Sequence, residues 1–255
     1  MPEKNQLFVQ DPATPMMEGM IYFHNLLMFF IVFVGIFVFY MLFYAIYVFH
    51  EDRHPVPAEF SHNSPLEIIW TILPAIILLF IAVPSFTLLY SLDELIDPTI
   101  TLKIVGHQWY WSYEYPDNGE FTFDAAMLED EELEPGQPRL LATDEAVVIP
   151  VNTNIRLLIA ADDVLHAWAM PAFGIKLDGV PGRLNETWVR VEKEGTYYGQ
   201  CSELCGTGPG FMPIMVKVVS KEAFATWAEK AKEEYASLHE KTGVKLADAN
   251  GKTAE

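Results

Sequence analysis

A membrane hairpin of two transmembrane helices, followed by an all-β Greek-key domain and a C-terminal helix, is the fold class predicted for this 255-residue chain. Three features predict it: two long charge-free runs in the first 90 residues, a change at Leu92 to short β-type runs separated by turn residues, and a segment rich in helix formers after Lys221. The chain is 51% apolar and 13% aromatic yet has a net charge of −19, and 28 of its 35 acidic residues lie after residue 90. Apolar mass and charge are therefore segregated, as expected when one part sits in lipid and the other in water. The acidic balance argues against a nucleic-acid partner, because phosphate binding needs clustered Lys and Arg.

Residues 26–49 form a run of 24 positions and residues 68–90 a run of 23, neither with a charged side chain. As helices each extends roughly 35 Å, enough to cross a hydrocarbon core of about 30 Å with some tilt. The first run is too long for a signal peptide and has neither a basic start nor a small-residue cleavage site. Buried core helices are the alternative, and charge-free stretches of this length are uncommon there. Pro74 and Pro84 within the second run are tolerated where neighbouring helices satisfy the freed carbonyls, which suggests packing against further helices. The connecting loop 50–67 carries one Arg against four acids, so the positive-inside rule gives almost no orientation, but two spans put both termini on one side.

Beyond the membrane part, β-type runs begin at Thr99 (TITLKIV), Trp109 (WYWSYEY), Ala146 (AVVIP), Asn154 (NIRLLIA), Glu186 (ETWVRV), Gly195 (GTYYGQ) and Met212 (MPIMVKVV). Strands at this spacing, with Gly, Pro, Asn and Asp between them, predict a Greek-key sandwich or barrel of about 120 residues. From Lys221, helix formers place Phe224, Trp227, Ala231 and Tyr235 near one face, predicting a helix that caps the domain. The last dozen residues carry no periodic apolar pattern and are expected to be mobile. The predicted organisation is an N-terminal segment 1–25, a hairpin 26–90, a β-domain 91–220, and a helix and tail 221–255. The acidic stretch 128–138 reads as a solvated loop or as an electrostatic aid to partner binding.

The two cysteines of the chain, Cys201 and Cys205, sit four apart and are followed by Gly206, Gly208, Pro209, Gly210 and Met212. Thiolates select copper(I), zinc or iron–sulfur, and a thioether such as Met212 tilts the choice towards copper. His166, 35 residues upstream of Cys201, supplies a candidate imidazole. The glycines and proline exclude a helix and leave a loop that can fold around metal, with both thiolates and an intervening backbone carbonyl as donors. A disulfide between the cysteines competes with this reading in an oxidising compartment. Zinc-finger spacing is absent. Taken singly, His166 and Met212 read more readily as core residues than as ligands, and it is their occurrence with the thiol pair that raises them. The aromatic run 106–115 (GHQWYWSYEY) reads as a buried strand in part, while an edge-exposed indole among acids suits the docking of a redox partner.

Together GHQWYWSYEY, DVLHAWAMPAFGIKLDGVPGR, YYGQCSELCG and FMPI resemble subunit II of cytochrome c oxidase, and the resemblance runs from QDPATPMMEG through IIWTILPAIILLFIAVPSF to residue 219. It implies a cupredoxin-like barrel behind the hairpin, facing the intermembrane space or periplasm, with segment 1–25 on the same outer side. It also implies a binuclear copper centre with Cys201 and Cys205 as bridging thiolates, His166 and Met212 as imidazole and thioether ligands, and Glu203 as a carbonyl ligand. The Glu203 side chain would in addition reach a magnesium ion shared with subunit I. Trp109 matches the tryptophan where electrons arrive, Glu114, Asp144 and Asp163 match acids that meet the lysines of cytochrome c, and Glu67 matches an acid at a proton-path entrance. The implied function is electron acceptance from cytochrome c and delivery to haem in subunit I, where oxygen is reduced with proton pumping, alongside subunit III in a lipid bilayer.

At one position the chain departs from the family pattern, which places a second histidine ligand where Pro209 stands. Proline offers neither a side-chain donor nor an amide N–H. The centre then has altered ligation, or is mononuclear or empty, and a copper-free structural subunit of a quinol-oxidase-like complex is the alternative function. Retention of both thiols, His166 and Met212 favours copper. The N-terminal wording and the lack of a cleavable signal suggest the mitochondrial inner membrane, with the bacterial inner membrane as the alternative.

Overall fold

The computed structural model describes residues 6–93 and 97–242; the terminal dozen residues, expected from their pattern to be mobile, lie outside that range. The described residues divide into two units, one comprising 19–93 and the other the β-domain together with 6–18.

The first unit is a helical hairpin, α1 (Pro15–Val48) and α2 (Ser64–Asp93). Both are long and apolar enough to cross a membrane, and they expose Phe, Leu, Ile and Val over most of their surfaces. Water would not tolerate such a surface, whereas lipid requires it. Gly19 of α1 lies against Leu88 of α2, and the rings of Phe30 and Phe80 meet at 6.4 Å, so the helices run antiparallel. Helix α1 starts eleven residues before the charge-free run, because Thr14 caps it by accepting from the Met17 amide at 3.1 Å and Pro15 pre-sets the first turn. Helix α2 is capped by Asn63, whose Oδ1 accepts from the Leu66 amide at 3.2 Å while Glu67 accepts from the Asn63 amide at 3.4 Å.

Among the described residues the second unit contains ten strands: β1 (Ile100–His107), β2 (Tyr110–Tyr115), β3 (Phe121–Ala125), β4 (Val147–Pro150), β5 (Ile155–Ala161), β6 (His166–Met170), β7 (Ile175–Gly179), β8 (Asn185–Val189), β9 (Gly195–Cys201) and β10 (Pro213–Val219). They form two five-stranded sheets, ordered β3-β2-β1-β5-β8 and β4-β10-β9-β6-β7. Parallel pairing of β1 with β5 and of β4 with β10 requires the chain to cross between the sheets, giving the expected two-sheet β-domain in place of a simple meander. Three strands were not foreseen. FTFDA and IKLDG are short and carry a charge, and HAWAM is buried at every position, so it lacks the alternation that marks a half-buried strand.

Strands β1, β2 and β5 alternate regularly between buried and partly exposed positions, sending Ile104, Trp111, Tyr113, Tyr115 and Leu157 into the core. Helix α3 (Lys221–Thr242) closes the core with the predicted face, Phe224, Ala231 and Tyr235 being buried and Trp227 packing on Tyr115 at 5.2 Å. The N-terminal segment is tied to the same unit: the Ala13 amide donates to the Ala172 carbonyl and the Glu192 amide to the Ala13 carbonyl. Tyr115 ties the two sheets together, its hydroxyl donating to the Val148 carbonyl at 2.9 Å and accepting from the Val148 amide at 3.1 Å. Tyr115→Phe should leave both backbone groups unpaired inside the core and destabilise the domain by about 1–3 kcal/mol. A lowered thermal midpoint, followed by circular dichroism of the full chain in detergent, checks this.

Candidate metal centre

Adjacent strands build the site. His166 opens β6, Cys201 ends β9, and β6 and β9 pair with Trp168 opposite Cys201. The chain then loops through Cys205 and a short helical turn at Pro209–Phe211 into β10, which pairs back on β9. The Cys201 amide closes this loop by donating to the Met212 carbonyl at 3.1 Å. The loop is thus a β-hairpin connection whose two ends carry Cys201 and Met212, and the Met212 side chain is fully buried.

The sulfurs of Cys201 and Cys205 are 3.8 Å apart and unbonded, and both residues are buried. Nδ1 of His166 lies 3.9 Å from the Cys201 sulfur, and the three ligand atoms fall within 4.8 Å of one another. The Glu203 carbonyl is 3.7 Å from the same sulfur. Two thiols and an imidazole buried within 4.8 Å of one another, with the buried Met212 at the end of the same loop, form a donor set that fits copper.

The imidazole is held from two sides. Its Nε2 donates to Asp163 Oδ1 at 2.8 Å, which fixes the tautomer and leaves the Nδ1 lone pair turned to sulfur. A side chain at Gly106 would fall 2.8 Å from the ring, so only glycine lets β1 lie this close. Burial would raise the Asp163 carboxyl, but hydrogen bonds from His166 and from the amides of Val164 and Gln108 outweigh it and hold the group below the usual carboxylate range. Burial, with the neighbouring Cys201 thiol and Asp163 charge, pushes the Cys205 thiol up to about 12.

Trp109 is 40% exposed, yet its indole N–H donates to the Cys205 carbonyl at 3.1 Å, beside a second bond from Gln108 Nε2 at 2.9 Å. Gly208 provides the seat, since a side chain there would meet the indole at 2.7 Å. Exposed Trp109 is therefore joined to buried Cys205 through one peptide group.

The side chains of the other sequence candidates make contacts of their own. Glu114 pairs with Lys103 at 2.7 Å, Asp144 accepts from the amides of Ala126 and Glu145, and Glu67 helps cap α2. Glu203 accepts from the Leu204 amide through Oε1 at 3.1 Å. Asp163, expected at a docking surface, also orients His166. Gln108 and Gly106 were missed, because neither residue type signals a site and their contacts span 97 residues of sequence in one case and a strand crossing in the other.

A hairpin long and apolar enough to cross a membrane, followed by a two-sheet β-domain that buries two thiols and an imidazole together, defines a membrane-anchored protein of the cupredoxin-like class with a candidate metal site. Residues 100–219 match the family described as Cytochrome C oxidase subunit II, periplasmic domain, and residues 2–88 match its transmembrane domain. Cytochrome c oxidase subunit 2 of Phytophthora megasperma is 56% identical over 232 residues, covering 89% of this chain and 87% of that protein. A probable cytochrome c oxidase subunit 2 of Rickettsia felis is 51% identical, covering 87% of this chain and 70% of that protein. The crystal structure of the periplasmic domain of cytochrome oxidase subunit II from Bradyrhizobium japonicum superposes with a TM-score of 0.53 at 51% identity, covering 56% of this chain and 99% of that one. The chain belongs to the cytochrome c oxidase subunit II family, and as such is a subunit of a membrane oxidoreductase complex.

Two outcomes follow from the geometry. Asp163→Ala should free the imidazole and lower copper affinity by about 10–100-fold, measured by competition with a chelator. Because the Cys205 thiol holds its proton up to about 12, metal must expel that proton, and apparent affinity should rise with pH throughout the range below it. Affinities compared at about pH 6 and about pH 8 check the sign, with up to about tenfold gain per pH unit for each thiol deprotonated.

Proposed function

We propose that this chain is the electron-accepting subunit of a cytochrome c oxidase, taking electrons from cytochrome c and delivering them to haem in subunit I for oxygen reduction coupled to proton pumping. The observation that carries this reading is the exposed Trp109 indole hydrogen-bonded to the carbonyl of Cys205, one of two buried thiols beside His166. Copper, when bound by Cys201, Cys205, His166, Met212 and the Glu203 carbonyl, supplies a one-electron couple. The chain's own part is to exclude water from these donors and to lock their positions, so that electron transfer needs little rearrangement.

The surface around Trp109 suits a basic partner. Asp124, Asp162 and Asp163 all raise the titration of neighbouring Tyr110 after the effect of its own burial, which marks a concentrated negative field beside the indole. Opposite charge there speeds encounter and is weakened by salt. Glu114 and Asp144 extend the acidic surface in this reading, Glu203 reaches a magnesium ion shared with subunit I, and Glu67 opens a proton path. Relatives from both an oomycete and Rickettsia leave two settings, and we favour the mitochondrial inner membrane with the β-domain in the intermembrane space over the bacterial inner membrane. Subunits I and III are the expected neighbours.

Pro209 favours a second reading, a copper-free structural subunit. A paired experiment on the purified complex separates them. Cys201→Ser should remove copper from this subunit and stop cytochrome c oxidation, whereas Trp109→Phe should keep the copper and slow electron acceptance. In the unaltered complex the encounter rate should fall by about tenfold or more from low to physiological salt. Unchanged copper content and turnover in Cys201→Ser would establish the structural reading instead.

A further inference from the structure

We propose, building on the copper-site reading above, that the dithiolate site of this chain holds a single copper ion and not a thiolate-bridged pair. Two ions sharing the Cys201 and Cys205 sulfurs would each need a strong further donor, because the Met212 thioether and the Glu203 carbonyl are neutral and weak. Among the described residues, the cluster contains one imidazole, that of His166. That ring serves one ion only: Nε2 is committed to Asp163 at 2.8 Å, and Nδ1 alone faces sulfur. Gly106 pressed against its face keeps the ring from turning to another position.

Among the described residues, no further His, Cys, Asp or Glu joins His166, Cys201 and Cys205 in the cluster. His107 stacks on Tyr110 at 4.6 Å, with Nδ1 3.8 Å from Asp162, outside the cluster. The Asp163 oxygens accept from His166 and from the Val164 and Gln108 amides, and the Glu203 side chain accepts from the Leu204 amide through Oε1. In the loop after Cys205, Thr207 offers only a hydroxyl, and Pro209 offers neither a side-chain donor nor an amide N–H. Two thiolates, one imidazole and one thioether together complete the ligand set of one copper, and a second ion would be held by sulfur bridges and weak oxygen donors alone.

Full-length chain purified in detergent, loaded anaerobically with excess Cu(I) and Cu(II) and then freed of unbound metal, should retain one copper per chain by elemental analysis. Its paramagnetic resonance spectrum should have the four hyperfine lines of a spin confined to one copper nucleus. Pro209→His adds an imidazole donor to the loop and should double the copper content, with the seven lines of a spin shared by two nuclei. Two coppers and seven lines in the unaltered chain would overturn the single-ion assignment while leaving the copper-site reading standing. No retained copper would overturn both. One copper in both proteins, with unchanged circular dichroism, would overturn residue 209 as the position that limits occupancy. If Pro209→His does not fold, the count and line pattern of the unaltered chain decide the matter.

Discussion

The pairing of β9 with β6 on one side and β10 on the other holds the candidate metal centre together. One register puts Cys201 opposite Trp168, two residues from His166, and the bond from the Cys201 amide to the Met212 carbonyl closes the intervening loop. A shift of either strand by one residue would send these side chains to the opposite face, so the register of the sheet determines whether a donor set exists at all.

A second sheet supplies orientation. Gly106 at the end of β1 presses on His166, Trp111 of β2 meets the same ring edge-on at 5.9 Å, and Asp163 beyond β5 accepts its remaining N–H. The ligands thus come from one sheet and their supports from the other, and the site exists only where the two sheets face each other. The β1–β2 turn performs a further task, bringing Gln108 and Trp109 onto the Cys205 carbonyl, so that the most buried donors and the exposed indole share one peptide group. The two small residues flanking that peptide, Gly206 at φ +106° and Gly208 under the indole, are required by this close contact.

Asp163 illustrates how one side chain serves two ends. Its carboxylate is partly exposed among Asp124 and Asp162 around Tyr110, and it also fixes the imidazole from outside. Charge that suits a basic partner and charge that polarises a ligand are therefore the same charge, and a change at Asp163 acts on both.

Much of this was legible in the chain. The two spans follow from charge-free length alone, and seven of the ten strands from alternation and turn residues, because both signals are local. Cys201, Cys205, Met212 and His166 were identifiable because soft donors are rare and three of them lie within a dozen residues. The strands FTFDA, HAWAM and IKLDG were not, since burial on both faces or brevity erases periodicity. Nor were the roles of Gly106, Gln108 and Asp163 as supports, because their partners are remote in sequence and met only through sheet pairing. By itself the sequence determined which atoms are present to bind metal and, through Pro209, which are missing. The tertiary structure alone decided that one imidazole nitrogen is spent on Asp163 and the other faces sulfur, because hydrogen bonds and close packing, unlike composition, depend on where remote segments come to lie.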